Sequence, residues 1–291
     1  MSLNAWDAAL IAVKTVSYAG TFGCAGAVFF LKLGGALVAS EDRRRIRRLV
    51  IGAGALSALA GGAQLLVTAG SMTDAAAGML DGPLLRMVWQ AGAGRATTVR
   101  MIGLVLAALV LLPDRTPRLA GVGAVMAATS FAWTGHARSL HPDALPIVLL
   151  SVHLLGVAFW LGALMPLAIV ARNAEISRIA ALAARFGASA VFVVGGLLAA
   201  GLGLLWLMLG GVTELWDSAY GRDVMVKLAL VAGLLSLAAF NKLRLTPRLS
   251  GGDIRAVRSL RTSIRLELLL GAAILAATAT LTTVAGPPAL G

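Results

Sequence analysis

The chain has 291 residues, of which 59% are hydrophobic and only 13% are charged, and its mean hydropathy is +0.88. A soluble domain carries about 25% charged residues, so this composition excludes an ordinary soluble protein and favours one embedded in a lipid bilayer. The net charge of +12 raises the question of nucleic-acid binding, but its concentration in alternate loops argues against such a partner.

Long apolar runs without period-2 alternation predict an all-α, polytopic membrane helix bundle. A helix of about 20 apolar residues crosses the ~30 Å of hydrocarbon in a bilayer, and several runs are longer than that. We therefore predict one transmembrane domain over residues 1–291. Its eight predicted helices cover about 8–37, 49–69, 95–112, 118–137, 144–171, 183–210, 223–243 and 263–285.

The Lys and Arg residues are concentrated in every second segment between these helices. Seventeen of the 25 lie in the segments that join helices 1 and 2, 3 and 4, 5 and 6, and 7 and 8. Cytoplasmic loops of membrane proteins carry such an excess of positive charge. We therefore predict that these four segments are cytoplasmic and that both termini are periplasmic.

The segment 74–94 is too short and too polar to span, and we predict an interfacial or re-entrant position for it.

All three histidines lie within 18 residues, at the connection between helices 4 and 5. In the predicted topology this is the outer face. His136 is near the outer end of helix 4, His141 is in the loop, and His153 is about nine residues into helix 5, ~13 Å below the surface at ~1.5 Å per residue. Helices with so short a connection are antiparallel neighbours, so His136 and His153 would face each other, with His141 as a lid. Imidazoles at membrane depth indicate function, and we predict a copper site.

Each histidine also has a simpler interpretation. His141, in the sequence SLHPD, would be an exposed loop residue. His136 would hydrogen-bond a carbonyl group at a helix end, and His153 would hydrogen-bond a neighbouring helix. Trp133 lies on the helical face of His136, and Trp160 lies on that of His153. The two tryptophans would either line a dry pocket or make ordinary packing contacts.

Four further ionisable residues fall inside predicted spans or near their ends: Lys14, Arg100, Lys227 and Glu267. The three basic residues either extend to the interface or pair with acidic residues to shape an outer vestibule. Glu267 is expected to pair with an arginine such as Arg265 or Arg244, as a structural clamp rather than an ion exit. The acidic candidates for the vestibule are Asp81, Glu214, Asp217 and Asp223.

Five short segments, in order along the chain, carry a resemblance to a known family. They are GHA at 135–137, HLLGVAFWLGALMPL at 153–167, YGRDVMVKLAL at 220–230, NKLRLTPRL at 241–249 and LRTSIRLELLLG at 260–271. Over most of helices 4–8 the chain resembles the copper resistance protein D family, CopD. Helices 1–3 are similar to the family only in general arrangement, and Leu161-Gly162-Ala163 departs from the glycine pair that the family often has after the tryptophan.

The resemblance implies a multi-pass protein of the bacterial inner membrane that moves copper from the periplasm toward the cytoplasm. It also implies a periplasmic copper-binding partner of the CopC type. In this interpretation His136 and His153 bind the ion and His141 assists, while the oxidation state of the copper stays open.

Two functions of other classes stay open beside copper transport. One is a membrane b-type haem protein in which His136 and His153 form the axial pair. The other is a scaffold or sensor that docks a copper carrier without transporting copper. We do not expect an enzyme, because the chain has no Walker loop, no Ser-His-Asp order and no HExxH motif.

Overall fold

The computed structural model of the chain describes residues 4–112, 117–133, 144–208 and 214–284. Within these ranges the secondary structure is helical and contains no strand, which confirms the all-α prediction. The helices are α1 Ala5–Gly34, α2 Ser40–Thr73, α3 Gly82–Gln90, α4 Gly92–Ala108, α5 Pro117–Thr129, α6 Leu145–Asn173, α7 Ile176–Met208, α8 Glu214–Asp217, α9 Ala219–Phe240, α10 Thr246–Ser250 and α11 Ile254–Val284.

Seven of the described helical segments are long and apolar enough to cross a membrane. They correspond to seven of the eight predicted spans. The remaining span, predicted at 118–137, is described as α5 and a 3-10 turn at Ser130–Trp133, and its last residues lie outside the described ranges. The count of eight spans therefore stays a prediction.

Three helices begin well before their predicted starts: α2 at Ser40, α7 at Ile176 and α11 at Ile254. The added turns of α2 and α11 consist of the basic segments that lie between the predicted spans. Arginine is a good helix former, and acidic residues favour a helix N-terminus. Glu41 lies in the first turn of α2, and the Asp253 carboxylate accepts a hydrogen bond of 2.8 Å from the Arg255 backbone N–H.

Helix α1 packs against α2, α5, α6 and α11 and forms the middle of the bundle. Glycine permits its closest contacts. A side chain at Gly26 would overlap the backbone of Ala158 and Gly162 in α6, and one at Gly20 would overlap the backbone of Ser57 in α2. Small residues at such crossings let helix backbones approach each other in membranes.

The basic segments 43–48, 172–185 and 242–265 meet at one end of the bundle, which we call the basic end. Arg261 of α11 donates to the carbonyl oxygens of Ala171 and Arg172 at the end of α6, at 2.7 and 3.0 Å. The charge asymmetry predicted along the chain is thus an asymmetry in space. The side of the membrane that the basic end faces stays a prediction.

The segment after α2 forms a 3-10 turn at Ala76–Leu80 and the nine-residue helix α3. At ~1.5 Å per residue, α3 is far too short to cross a bilayer. The segment lies at the end of the bundle opposite the basic end, where the Trp6 indole N–H donates to the Asp74 carboxylate at 2.8 Å. The prediction that this segment is not a span is confirmed.

Candidate functional site

The predicted copper ligands fall partly outside the described residues. His136 and His141 lie in the range 134–143, outside the description, so their proximity to His153 stays a prediction. His153 lies in α6, in the half away from the basic end. Its ring nitrogen Nδ1 is 3.2 Å from the carbonyl oxygen of Leu197 in α7. The ring lies over Gly201, where a Cβ atom would come within 3.2 Å of Nδ1.

This hydrogen bond fixes which nitrogen of His153 can bind a metal. A carbonyl oxygen only accepts, so Nδ1 carries the proton and Nε2 keeps its lone pair. Metal-bound histidines commonly donate their second ring N–H to a backbone carbonyl in this way. No residue within the described ranges hydrogen-bonds Nε2 of His153. The interhelical hydrogen bond predicted as the simpler interpretation is therefore present, and it leaves one nitrogen free for an ion.

The surroundings of His153 do not form a complete metal site by themselves. In the part of the chain that the structure describes, no group of three or more His, Cys, Asp or Glu side chains is placed to hold a metal ion. Lys227 of α9 lies close enough to His153 for their charges to interact. Any site with several such ligands that uses His153 therefore has to include residues outside the described ranges.

Large apolar side chains lie next to His153 in the direction of the basic end. Trp160 is two turns further along α6, on the same helical face as His153. It forms a buried cluster with Leu197 of α7, Leu234 of α9 and Ile274 of α11. We call these four residues the plug. They fill the interface that α6, α7, α9 and α11 share.

A cavity of about 220 Å³ lies on the other side of the plug, toward the basic end. Trp160 forms part of its wall, and α6, α7 and α11 contribute mostly apolar side chains. Its polar lining consists of Asn241, Lys242, Thr246 and Glu267. Lys227, Leu234 and Asn241 follow each other at intervals of seven residues, so one face of α9 runs from His153 past the plug to the cavity.

Glu267 does not form the predicted ion pair with arginine. It is 3% exposed and accepts a hydrogen bond from the side-chain amide of Asn241. Arg265 is two residues away on α11, hence on the opposite side of the helix, and it is exposed. Arg244 is exposed as well. The prediction of an arginine clamp at Glu267 is therefore wrong.

The predicted ion pairs of an outer vestibule are also not found among the described residues. Lys14 donates to the Thr282 carbonyl oxygen at 2.9 Å. The guanidinium carbon of Arg100 lies 4.4 Å from the centre of the Phe131 ring, a cation–π contact. The ion pairs that the structure does describe join Arg45 to Glu41 and Asp42, and Arg248 to Asp253.

Two family models match the chain. The model for the N-terminal domain of copper resistance protein D-like proteins matches residues 4–141, and the model for copper resistance protein D matches residues 180–281. His136 and His141 lie in the first match, Glu267 lies in the second, and His153 lies between the two. The resemblance predicted over helices 4–8 was too narrow, since the first match begins at residue 4.

The chain is also similar to the copper resistance protein D of Pseudomonas syringae pv. tomato. The two are 29% identical over 212 residues, which cover 65% of this chain and 66% of the length of that relative. No solved structure matches the chain.

Proposed function

Since the chain belongs to the copper resistance protein D family, we propose that it moves copper ions across the bacterial inner membrane from the periplasm toward the cytoplasm. The observation that carries the proposal is the order of features along the interface of α6, α7, α9 and α11. The imidazole of His153, the plug, and the cavity with Glu267 follow one another toward the basic end.

The first step of the proposed route is capture at the end opposite the basic end. A periplasmic copper-binding protein of the CopC type delivers the ion to His153, with His136 and His141 supplying further imidazoles. Imidazole nitrogen suits copper. A protonated Lys227 would repel a cation at His153 and so weaken its binding. Weak binding suits a transport site, because an ion that binds too tightly is not released.

The second step is passage of the plug. Trp160, Leu197, Leu234 and Ile274 offer no ligand for an ion, and an unsolvated charge among apolar side chains costs a large free energy. The plug therefore blocks the ion at rest. Hydrophobic constrictions gate other ion routes by the same principle. Beyond it, the ion enters the cavity on the side of the basic end.

The test is copper uptake into proteoliposomes, together with metal analysis of the purified protein by mass spectrometry. His153→Ala removes the described ligand and should abolish both copper retention and uptake. Ser151→Ala is the matched control, because the Ser151 hydroxyl lies on the same helix and bonds only within it, to the Ile147 carbonyl at 2.7 Å. This control should behave like the wild type.

Each other result contradicts the proposal in a defined way. Unchanged uptake by His153→Ala would remove His153 from the route. Copper binding without uptake by the wild type would favour a docking scaffold. Iron with a Soret absorption band in place of copper would favour a haem protein.

A further inference from the structure

Glu267 is a buried carboxyl group with no cationic partner among the residues that the structure describes. It is 3% exposed, and the side-chain amide of Asn241 donates to it. An ionised carboxylate without a partner in apolar surroundings is costly, so such a group takes up a cation or a proton. Ionisable residues at membrane depth are accordingly found on ion paths and in proton relays.

The backbone around Asn241 is built to present its side chain to Glu267. Asn241 begins a π-helical turn, Asn241–Leu245, between α9 and α10. Such turns are rare in helices and are frequently found at functional sites. The Thr246 hydroxyl donates to the Asn241 backbone carbonyl at 3.0 Å and holds the turn. The Asn241 side-chain oxygen Oδ1 is buried and has no hydrogen-bond partner within the described ranges.

The cavity lined by Glu267 has room for water. Its volume of about 220 Å³ is enough for several water molecules, at ~30 Å³ each. The only other charged side chain in its described lining is Lys242, whose ammonium group donates to the Gly187 carbonyl at 3.4 Å. The lining residues from α6, α7 and the rest of α11 carry no charge.

We propose that Glu267 and Asn241 form a proton-binding site that exchanges protons through this cavity with the solution at the basic end. In the exchange, the carboxyl O–H bond breaks and the proton passes to a cavity water molecule. The carboxylate that remains is held by the Asn241 amide N–H, and the reverse step restores the acid. If the proposed copper transport is correct, the released proton compensates the charge of an ion that enters the cavity; that use of the site rests on the proposed function, whereas proton binding does not.

The first experiment follows the carboxyl group by infrared difference spectroscopy of the full chain in lipid nanodiscs, without copper, over a range of pH. A protonated buried carboxyl group gives a C=O stretching band that disappears on ionisation. We expect this band in the wild type and in Glu175→Gln, which alters an exposed carboxylate in the connection between α6 and α7. We expect its loss in Glu267→Gln, which keeps the size of the side chain.

A band that persists in Glu267→Gln, or no titrating band in the wild type, would overturn the proposal. A band that responds to sodium or potassium ions rather than to pH would also overturn it, in favour of a metal cation. A second variant keeps the test decisive if Glu267→Gln does not fold. Ala190→Leu leaves the carboxyl group in place and fills part of the cavity.

Hydrogen–deuterium exchange of the band should be slower in Ala190→Leu than in the wild type, and equal rates would rule out the cavity as the proton path. A copper jump with a pH-sensitive dye then tests coupling. If copper addition releases protons from the wild type but not from Glu267→Gln, the coupling is supported. Proton release that persists in Glu267→Gln would overturn the coupling. A titrating band in a protein that takes up no copper would contradict the proposed function while leaving the proton site intact.

Discussion

The imidazole Nδ1 of His153 lies 3.2 Å from the carbonyl oxygen of Leu197, so one hydrogen bond crosses the interface between α6 and α7. In a regular α-helix the same carbonyl accepts from the N–H four residues later, which is that of Gly201. The ring therefore rests on a turn of α7 at which Gly201 leaves room for it. Leu197 also belongs to the plug, so the ring and the plug are joined at a single residue.

Gly201→Leu should displace the His153 ring, because even a Cβ atom at this position would come within 3.2 Å of Nδ1. Loss of a hydrogen bond behind a metal-binding histidine typically costs about 10- to 100-fold in metal affinity. We expect a loss of that size in copper affinity, measured by competition with a chelator. Gly196→Leu is the control, since a Cβ atom there meets no other atom within 4 Å. Equal affinity in the two variants would contradict a role for this turn.

Trp160→Ala should open the plug, because it removes the largest of the four side chains. In protein cores, truncating tryptophan to alanine lowers the free energy of unfolding by about 3–5 kcal/mol. We expect a less stable protein whose proteoliposomes leak copper without a delivery partner. Trp206→Ala removes a tryptophan that is 77% exposed on α7 and should cause no leak. If proteoliposomes with Trp160→Ala do not leak copper, the barrier to copper lies elsewhere.

Gly26→Leu should destabilise the bundle, because a side chain there would overlap the backbone of Ala158 and Gly162 in α6. Overpacking at a tight contact costs about 1–3 kcal/mol and occasionally more. We expect a lower midpoint of thermal unfolding in detergent. Gly62→Leu, at a position of α2 with no atom near the added Cβ, should leave the midpoint close to that of the wild type. Similar losses in both variants would rule out the proposed contact as the cause.

Asp253 should stabilise the start of α11 in a pH-dependent way. The backbone N–H of Arg255 and the guanidinium group of Arg248 hold the pKa of this carboxyl group below its ordinary value of 3.8. A pKa that is lower in the folded state gives stability that is present above the ordinary pKa and is lost as pH falls through the folded value. Asp253→Asn should therefore increase amide hydrogen exchange at Arg255 and Ala256 near neutral pH. The difference from the wild type should vanish in strong acid; a difference independent of pH would contradict the charge argument.

The spans were predictable because hydrophobic length alone determines them, as the seven described examples show. Hydropathy does not predict the starts of α2 and α11, because those turns are rich in arginine, which is polar and yet a good helix former. Helical spacing alone would have shown that Arg265 and Glu267 point apart. The partner of His153 is a backbone carbonyl 44 residues away, for which no side-chain pattern exists. The π-helical turn at Asn241 was likewise not predicted from a sequence motif.

The backbone contact at Gly26 has a consequence for how the protein meets its membrane. Because α1 and α6 touch there without intervening side chains, these two helices cannot slide past each other easily. Two walls of the plug, α7 and α9, are far less enclosed by protein than α1 is. In the most apolar stretch of α1, 56% of residues are buried, against 17% in α7 and 11% in the segment of α9 and α10. Opening the plug is then a movement of helices that face lipid. If the chain moves copper as proposed, the thickness and composition of the surrounding bilayer help to set the rate of transport, and this rate should differ between membranes of different lipids.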